Sequence, residues 1–188
     1  MEISYRIRPA RTADSFAIRA LCLKLNVSRD STLDSGFLEY HVHSAPHFAE
    51  WIDSNELFYV AEGQGKVIGF FACYDDERLD RLSDRKCPME RFVLDQARPF
   101  IYGDVMGIDR QYARQGIGEY LLDNILEHPK ALGKDLWGAI ALRPFLNKGS
   151  QGLVLSKGFE LEDEVITDAG LVFGMYKRSG VVGPGSEV

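Results

Sequence analysis

A mixed α/β fold, with helices flanking a mostly antiparallel central sheet, is predicted by three features of the sequence. The first is a pair of hairpin signals, apolar β-rich runs joined by glycine turns. Leu57 to Ala61 and Val67 to Tyr74 flank Glu62-Gly63-Gln64-Gly65-Lys66, and Phe159 to Ile166 and Leu171 to Lys177 flank Asp168-Ala169-Gly170. The second is helical spacing, with Ile18, Leu21, Cys22 and Leu25 at i, i+3, i+4 and i+7. The third is residues 100–127, where a mostly apolar run from Phe100 to Ile108 ends at Asp109, crosses a polar link and reaches Gly116-Ile117-Gly118 before a periodic apolar helix. A chain of 188 residues that is 45% hydrophobic can bury a sizeable core, so residues 1–178 are expected to form one domain.

In chain order, Ile3, Tyr5 and Ile7 alternate with Ser4, Arg6 and Arg8, the period of a half-buried strand, which Pro9 ends. Thr12 or Asp14 is placed to cap the following helix. Ser28 to Ser35 is polar and turn-like, and Phe37 to Trp51 predicts one or two short helices interrupted near Pro46. His41, His43 and His47 have no carboxylate or cysteine at a ligand spacing, so they read as a polar pocket wall or surface histidines, and no metal is expected. Asp75 to Pro99 is long for a connection between strands. It is charge-rich to Arg85 and then carries Met89, Phe92, Val93 and Ala97 at helical spacing, an inserted helical segment. Such a segment serves as a solvated helix on a sheet edge, or as a lid, a substrate wall or a homodimer contact. His128-Pro129 stops the central helix. Leu136 to Leu142 is the next strand, Asn147 opens a loop, Gly149 to Ser156 is a short helix, and Gly158 suits the left-handed position after it. Residues 179–188 are expected to be a disordered tail.

Composition narrows the partners. Twenty-two basic against 28 acidic residues, net −6, argue against nucleic acid and suit a cationic amine better. Cys22, Cys73 and Cys87 form no C-x-x-C pair and read as reduced thiols. MEISYRIRPA contains no signal-like apolar run, and no stretch of about 18 apolar residues occurs, so a cytoplasmic protein without a membrane partner is expected.

The junction at residues 108–119 has the makings of an anion cradle. First-turn amides of a helix lack intrahelical acceptors, and the macrodipole adds positive potential there. Gly116 and Gly118 would let a pyrophosphate approach the amides of Arg114 to Glu119, with Arg110 and Arg114 as mobile positive charge. A glycine pair here also serves as a tight turn with no ligand. No Lys-Ser or Lys-Thr follows the glycines, as a P-loop requires, and the third glycine of a dinucleotide fingerprint is missing.

Strand, Ile108, acidic residue, polar link, Arg-Gln-Gly-Ile-Gly and amphipathic helix, followed by Asn147 after an apolar strand and then Gly158-Phe159, resemble the GNAT superfamily of N-acetyltransferases. Its acyl-CoA motif is Gln/Arg-x-x-Gly-x-Gly/Ala. The resemblance runs from about Tyr5 to Arg178 and implies a sheet splayed between the strands 100–108 and 136–142. It implies acetyl-CoA as co-substrate and an amine of a small molecule or protein as acceptor, attacking directly in a ternary complex. Cofactor contacts would come from the backbone of Met106, Gly107 and Ile108, from Arg114, Gln115, Gly116, Ile117, Gly118 and Glu119, and from Asn147. Asn147 also reads as a loop residue bonding nearby backbone. Tyr102 and Asp104 share a strand face with Met106 and Ile108, where the family's basic glutamates sit, so both are candidate catalytic residues, with Asp104 as the base. Asp104 reads equally as a residue bonding backbone at a strand bulge. Two positions depart from the family. Ala113 stands at the motif's Gln/Arg, and Val154 stands where a tyrosine often protonates the leaving thiolate. Ser150, Tyr120 or water would then replace that donor, or the chain would be a non-catalytic acetyl-CoA sensor.

Overall fold

The computed structural model describes residues 4–31, 33 and 35–180. They group into two compact units, one of residues up to Ala72 with Val105–Asn124, the other of Cys73–Asp104 with residues from Ile125 on.

In the first unit, β1 (Tyr5–Pro9) leads through a 3-10 turn (Thr12–Asp14) into α1 (Ser15–Leu25). The expected apolar face of α1 is buried at Ile18, Leu21, Cys22 and Leu25. Its expected cap is not formed: the Asp14 carboxylate instead accepts the Arg11 N–H at 2.7 Å and pairs with Arg8. Ile3 of the predicted strand lies outside the described residues. Two-residue strands β2 (Asn26–Val27) and β3 (Phe37–Leu38) pair in parallel, too short for any alternation to announce them. One helix, α2 (Ala45–Ile52), follows, and Pro46 starts it rather than interrupting it. A first-turn proline lacks only an N–H that had no intrahelical acceptor. Ser44 caps this helix, its hydroxyl accepting the His47 N–H at 3.3 Å.

The first predicted hairpin is β4 (Phe58–Gly63) and β5 (Lys66–Asp75), antiparallel to each other, with β4 antiparallel to β1. Its turn places Gln64 and Gly65 at φ of 52° and 72°, the left-handed pair that a tight two-residue hairpin requires.

The second unit contains the inserted segment as two helices, α3 (Asp76–Leu82) and α4 (Pro88–Leu94). Asp75 caps α3 by accepting the Arg78 N–H at 2.8 Å. Strand β6 (Phe100–Ile108) and helix α5 (Ile117–Leu126) pass between the units. Then come β7 (Asp135–Arg143), α6 (Lys148–Ser156), β8 (Glu160–Ile166) and β9 (Val172–Arg178). Gly158 takes a φ of 78°, the left-handed residue expected after α6.

Among the described residues seven strands form a largely antiparallel sheet, ordered β1-β4-β5-β6 and continuing β6-β7-β9-β8. The β6–β7 ladder is parallel; it runs from Phe100↔Asp135 to Gly103↔Gly138 and ends there, while both strands continue. Helix α4 packs on this part of the sheet, with Phe92 edge-on to Trp137 at 5.6 Å. Cys22 and Cys73 are buried, Cys87 is half-buried, and all three are free thiols. From residue 181 the expected tail lies outside the described residues. No helix among the described residues is long and apolar enough to cross a membrane.

Candidate active site

The last four residues of β6 alternate in burial: Val105 and Gly107 are inward, Met106 and Ile108 half-exposed. Gly107 is a packing requirement, because a Cβ there would lie 2.7 Å from Phe70, 2.8 Å from Phe37 and 3.0 Å from Leu25. Gly107→Ala is expected to destabilise the fold by about 1–3 kcal/mol through overpacking, measured by denaturant unfolding.

Beyond the strand, Asp109 anchors the loop. Its N–H donates to the Ile68 carbonyl at 2.8 Å, and one carboxylate oxygen accepts the Gln111 N–H at 3.1 Å to cap a 3-10 turn (Arg110–Tyr112). Both carboxylate oxygens lie 2.7 Å from Lys24 Nζ. Burial works to raise this carboxyl, but the Lys24 ammonium and the Gln111 amide hold it below its ordinary value. Arg110 is not the mobile charge expected from the sequence. Its Nη1 donates to the Lys24 carbonyl at 3.0 Å, at the C-terminal end of α1 where the helix dipole favours a cation, and its Nε and Nη2 are buried.

The loop then turns through two left-handed residues, Arg114 at φ 62° and Gly116 at φ 78°. The Gln115 carbonyl between them accepts the Tyr5 hydroxyl at 3.2 Å, which fixes the loop to β1. Tyr5 meets Tyr120 edge-on at 6.1 Å, and the Tyr120 ring lies beside Gly116. Ile117, 1% exposed, and the buried Gly118 seat the first turn of α5, whereas Arg114 and Glu119 are exposed. The guanidinium of Arg114 makes no hydrogen bond or ion pair among the described residues. A left-handed loop running into a helix N-terminus gathers amides on an anion, so these residues fit a pyrophosphate.

In the second unit, Asp104 is a half-buried acid in mid-strand whose carboxyl makes neither a hydrogen bond nor an ion pair among the described residues. The backbone-bonded role weighed for it is therefore not the one it has. Burial, and secondarily the Glu90 charge, raise its carboxyl to about 7. Burial and Asp104 also raise the Cys73 thiol. Tyr102 is 2% exposed, within the core.

Asn147 is the N-cap of α6: its Oδ1 accepts the Ser150 N–H at 3.1 Å, and its N–H donates to the Ala141 carbonyl at 3.1 Å. Val154 and Ser150 are half-buried on α6, and Tyr120 is 57% exposed.

Two further features lie in the first unit. His43 stacks on His47 at 4.6 Å and tilts against Trp51 at 4.5 Å, and burial followed by the charges of His47 and His41 lowers His43 to about 4, keeping it neutral. No group of three or more potential ligands among the described residues could hold a metal ion. A groove of about 460 Å³ runs along Ala13, Ala17 and Ala20, and five of its charged lining residues are ion-paired, Arg8 with Asp14 and Glu62, Lys24 with Asp109.

Sequence reasoning missed Lys24 and Glu90. Lys24 meets its carboxylate 85 positions away, and Glu90 lies in a segment whose charge reads as a solvated face.

A family model described as "Acetyltransferase (GNAT) family" matches residues 26–159. No curated protein matches the chain. Solved structures do. An N-acetyltransferase from Staphylococcus aureus is 20% identical, with a TM-score of 0.64 over 94% of this chain and 98% of that one. The Escherichia coli ribosomal-protein-S18-alanine N-acetyltransferase is 15% identical, with a TM-score of 0.63 over 98% and 100%. Arabidopsis thaliana Naa50, in complex with the bisubstrate analogue CoA-Ac-MVNAL, is 16% identical, with a TM-score of 0.63 over 94% and 99%.

Proposed function

Starting from the fact that the chain belongs to the acetyltransferase (GNAT) family, we propose that it transfers an acetyl group from acetyl-CoA to a primary amine, with Asp104 as the base. The observation that carries this is the left-handed turn at Arg114 and Gly116 feeding the first turn of α5, formed by the residues whose sequence resembles the family's acyl-CoA motif. The amides of Gln115 to Glu119 and the exposed Arg114 would hold the pyrophosphate. The backbone of Met106 and Ile108, both half-exposed residues, would line the pantetheine arm, as an added strand does at a sheet edge. Asn147 would contribute through its place at the start of α6. The missing Arg or Gln at Ala113 weakens this hold without removing its main-chain part.

Acetyl-CoA supplies a thioester whose carbonyl carbon bonds the amine nitrogen while the C–S bond breaks and CoA leaves as a thiolate. An alkylamine titrates near 10.4, so the acceptor arrives as an ammonium and must first lose a proton. Asp104, with a carboxyl near 7, is a better proton acceptor than an ordinary aspartate and remains largely ionised above neutrality. Val154 has no proton to donate, so the thiolate is protonated by water or by Tyr120.

The S18-alanine enzyme and the CoA-peptide complex make peptide N-termini the first acceptors to try, followed by small amines. Calorimetric titration with acetyl-CoA, then thiol release on adding this panel, tests the proposal. Binding with release on any amine is the expected result, and absence of binding would overturn it. The second reading, a sensor, rests on Val154 and would show as binding without release.

A further inference from the structure

We propose that Glu90, brought in by the inserted helix α4, is a second, specificity-determining carboxylate beside Asp104, which makes a protonated alkylamine rather than a neutral hydroxyl compound the acceptor of this site. The inference rests on Asp104 being the base proposed above.

The β6–β7 register and the packing of α4 together place the helix on the sheet face that bears Asp104. Tyr102 pairs with Trp137 in the β6–β7 ladder, so both side chains share a sheet face, and Asp104, two residues along β6, shares it too. Phe92 of α4 packs edge-on to Trp137 at 5.6 Å, so the helix lies on that face. On the helix itself, Glu90 precedes Val93 by three residues and Leu94 by four, which puts it on the buried side, as Val93 is 0% and Leu94 6% exposed. The Ser83 hydroxyl donates to Glu90 Oε2 at 2.5 Å and fixes the side chain from the α3 end.

Cys73 from β5 and Cys87 at the start of α4 neighbour Asp104, and Asp84, itself paired with Lys86 at 2.7 Å, acts on Glu90. Lys177, on the Trp137 ring at 5.5 Å, is committed to Asp135 at 3.1 Å. Neither Asp104 nor Glu90 forms an ion pair among the described residues. Two carboxylates without a counter-ion resist being charged together: burial and then the Glu90 charge raise Asp104, while burial and the Asp84 charge raise Glu90 against the Ser83 hydrogen bond. An incoming ammonium offsets the charge of the pair, and its proton passes to Asp104. An alcohol brings no charge and gains nothing from Glu90. A helix that reads as a solvated insertion thus becomes part of acceptor selection.

The test is 13C-carboxyl NMR on protein labelled at Asp and Glu side chains, titrated with pH as wild type, Glu90→Gln and Glu90→Asp, with D104N assigning the signal. The Asp104 midpoint is expected about one pH unit lower in E90Q, since a like charge has been removed, and restored in E90D. Adding n-butylamine should lower the midpoint in wild type, n-butanol should leave it, and E90Q should lose the amine response. An Asp104 midpoint unchanged in E90Q, or equal responses to amine and alcohol, would overturn the role of Glu90; the amine–alcohol comparison needs only wild-type protein. Acetyl-CoA calorimetry on the same samples separates the two levels. Loss of binding in wild type sinks the transferase reading, whereas intact binding with an indifferent Asp104 removes Glu90 alone.

Discussion

Asp104→Asn is expected to lower turnover by about 10²–10⁴-fold, the usual worth of a positioned proton acceptor, and at the same time to raise the melting temperature at pH 8. The second effect follows from the sign of the carboxyl's shift. Asp104 titrates near 7 in the folded chain and near its ordinary value, about 3.9, in the unfolded one. Below that lower value both states hold the proton and the shift costs nothing. As pH rises towards 7 the folded state keeps a proton that the unfolded state has lost, so stability declines, and above 7 the full penalty is present. Asparagine mimics the neutral acid at every pH and removes the penalty, so the gain should be seen at pH 8 and vanish at pH 4. In the unaltered enzyme kcat/KM should fall as pH drops through about 7, as the base takes up a proton. A variant that loses stability along with activity would mean that Asp104 is structural.

Gly118→Trp is expected to abolish acetyl-CoA binding in calorimetry. Gly118 is buried in the first turn of α5, and an indole there fills the approach to the amides. Because so large a change in a buried turn also threatens the fold, Arg114→Glu is its companion. Arg114 is exposed and makes no ion pair among the described residues, so its reversal leaves packing intact. Loss of one charge-assisted contact of about 1.5–3 kcal/mol should weaken binding roughly ten- to hundredfold. Unchanged affinity in a folded Arg114→Glu protein would move the phosphate site elsewhere.

Much of the architecture was legible because it is written in local signals. The hairpin turn at Gln64-Gly65 needs φ > 0, the buried face of α1 repeats every three to four residues, and Gly158 ends α6, so a short window holds each message. The motif at residues 114–118 was legible for the same reason: strand, left-handed turn and helix start are consecutive. Pro46 misled because the same ring that breaks a helix interior suits its first turn, and only the start point tells which applies. Arg110 misled because nothing nearby in sequence announces the Lys24 carbonyl that accepts from it.

By itself, then, the sequence determined the order and kind of the main strands and helices, the family motif with its departures at Ala113 and Val154, and the candidate base on β6. Periodicity, turn stereochemistry and motif spacing are properties of neighbouring residues. Tertiary structure alone decided that the Asp104 carboxyl makes no hydrogen bond or ion pair among the described residues, that Asp109 is held by Lys24, that Gly107 is required by Phe37, Phe70 and Leu25, and that α4 lies on the face bearing Asp104. Those facts join residues tens of positions apart, and what sets a buried carboxyl's charge or a glycine's necessity is the atoms packed against it, not the residues beside it in the chain.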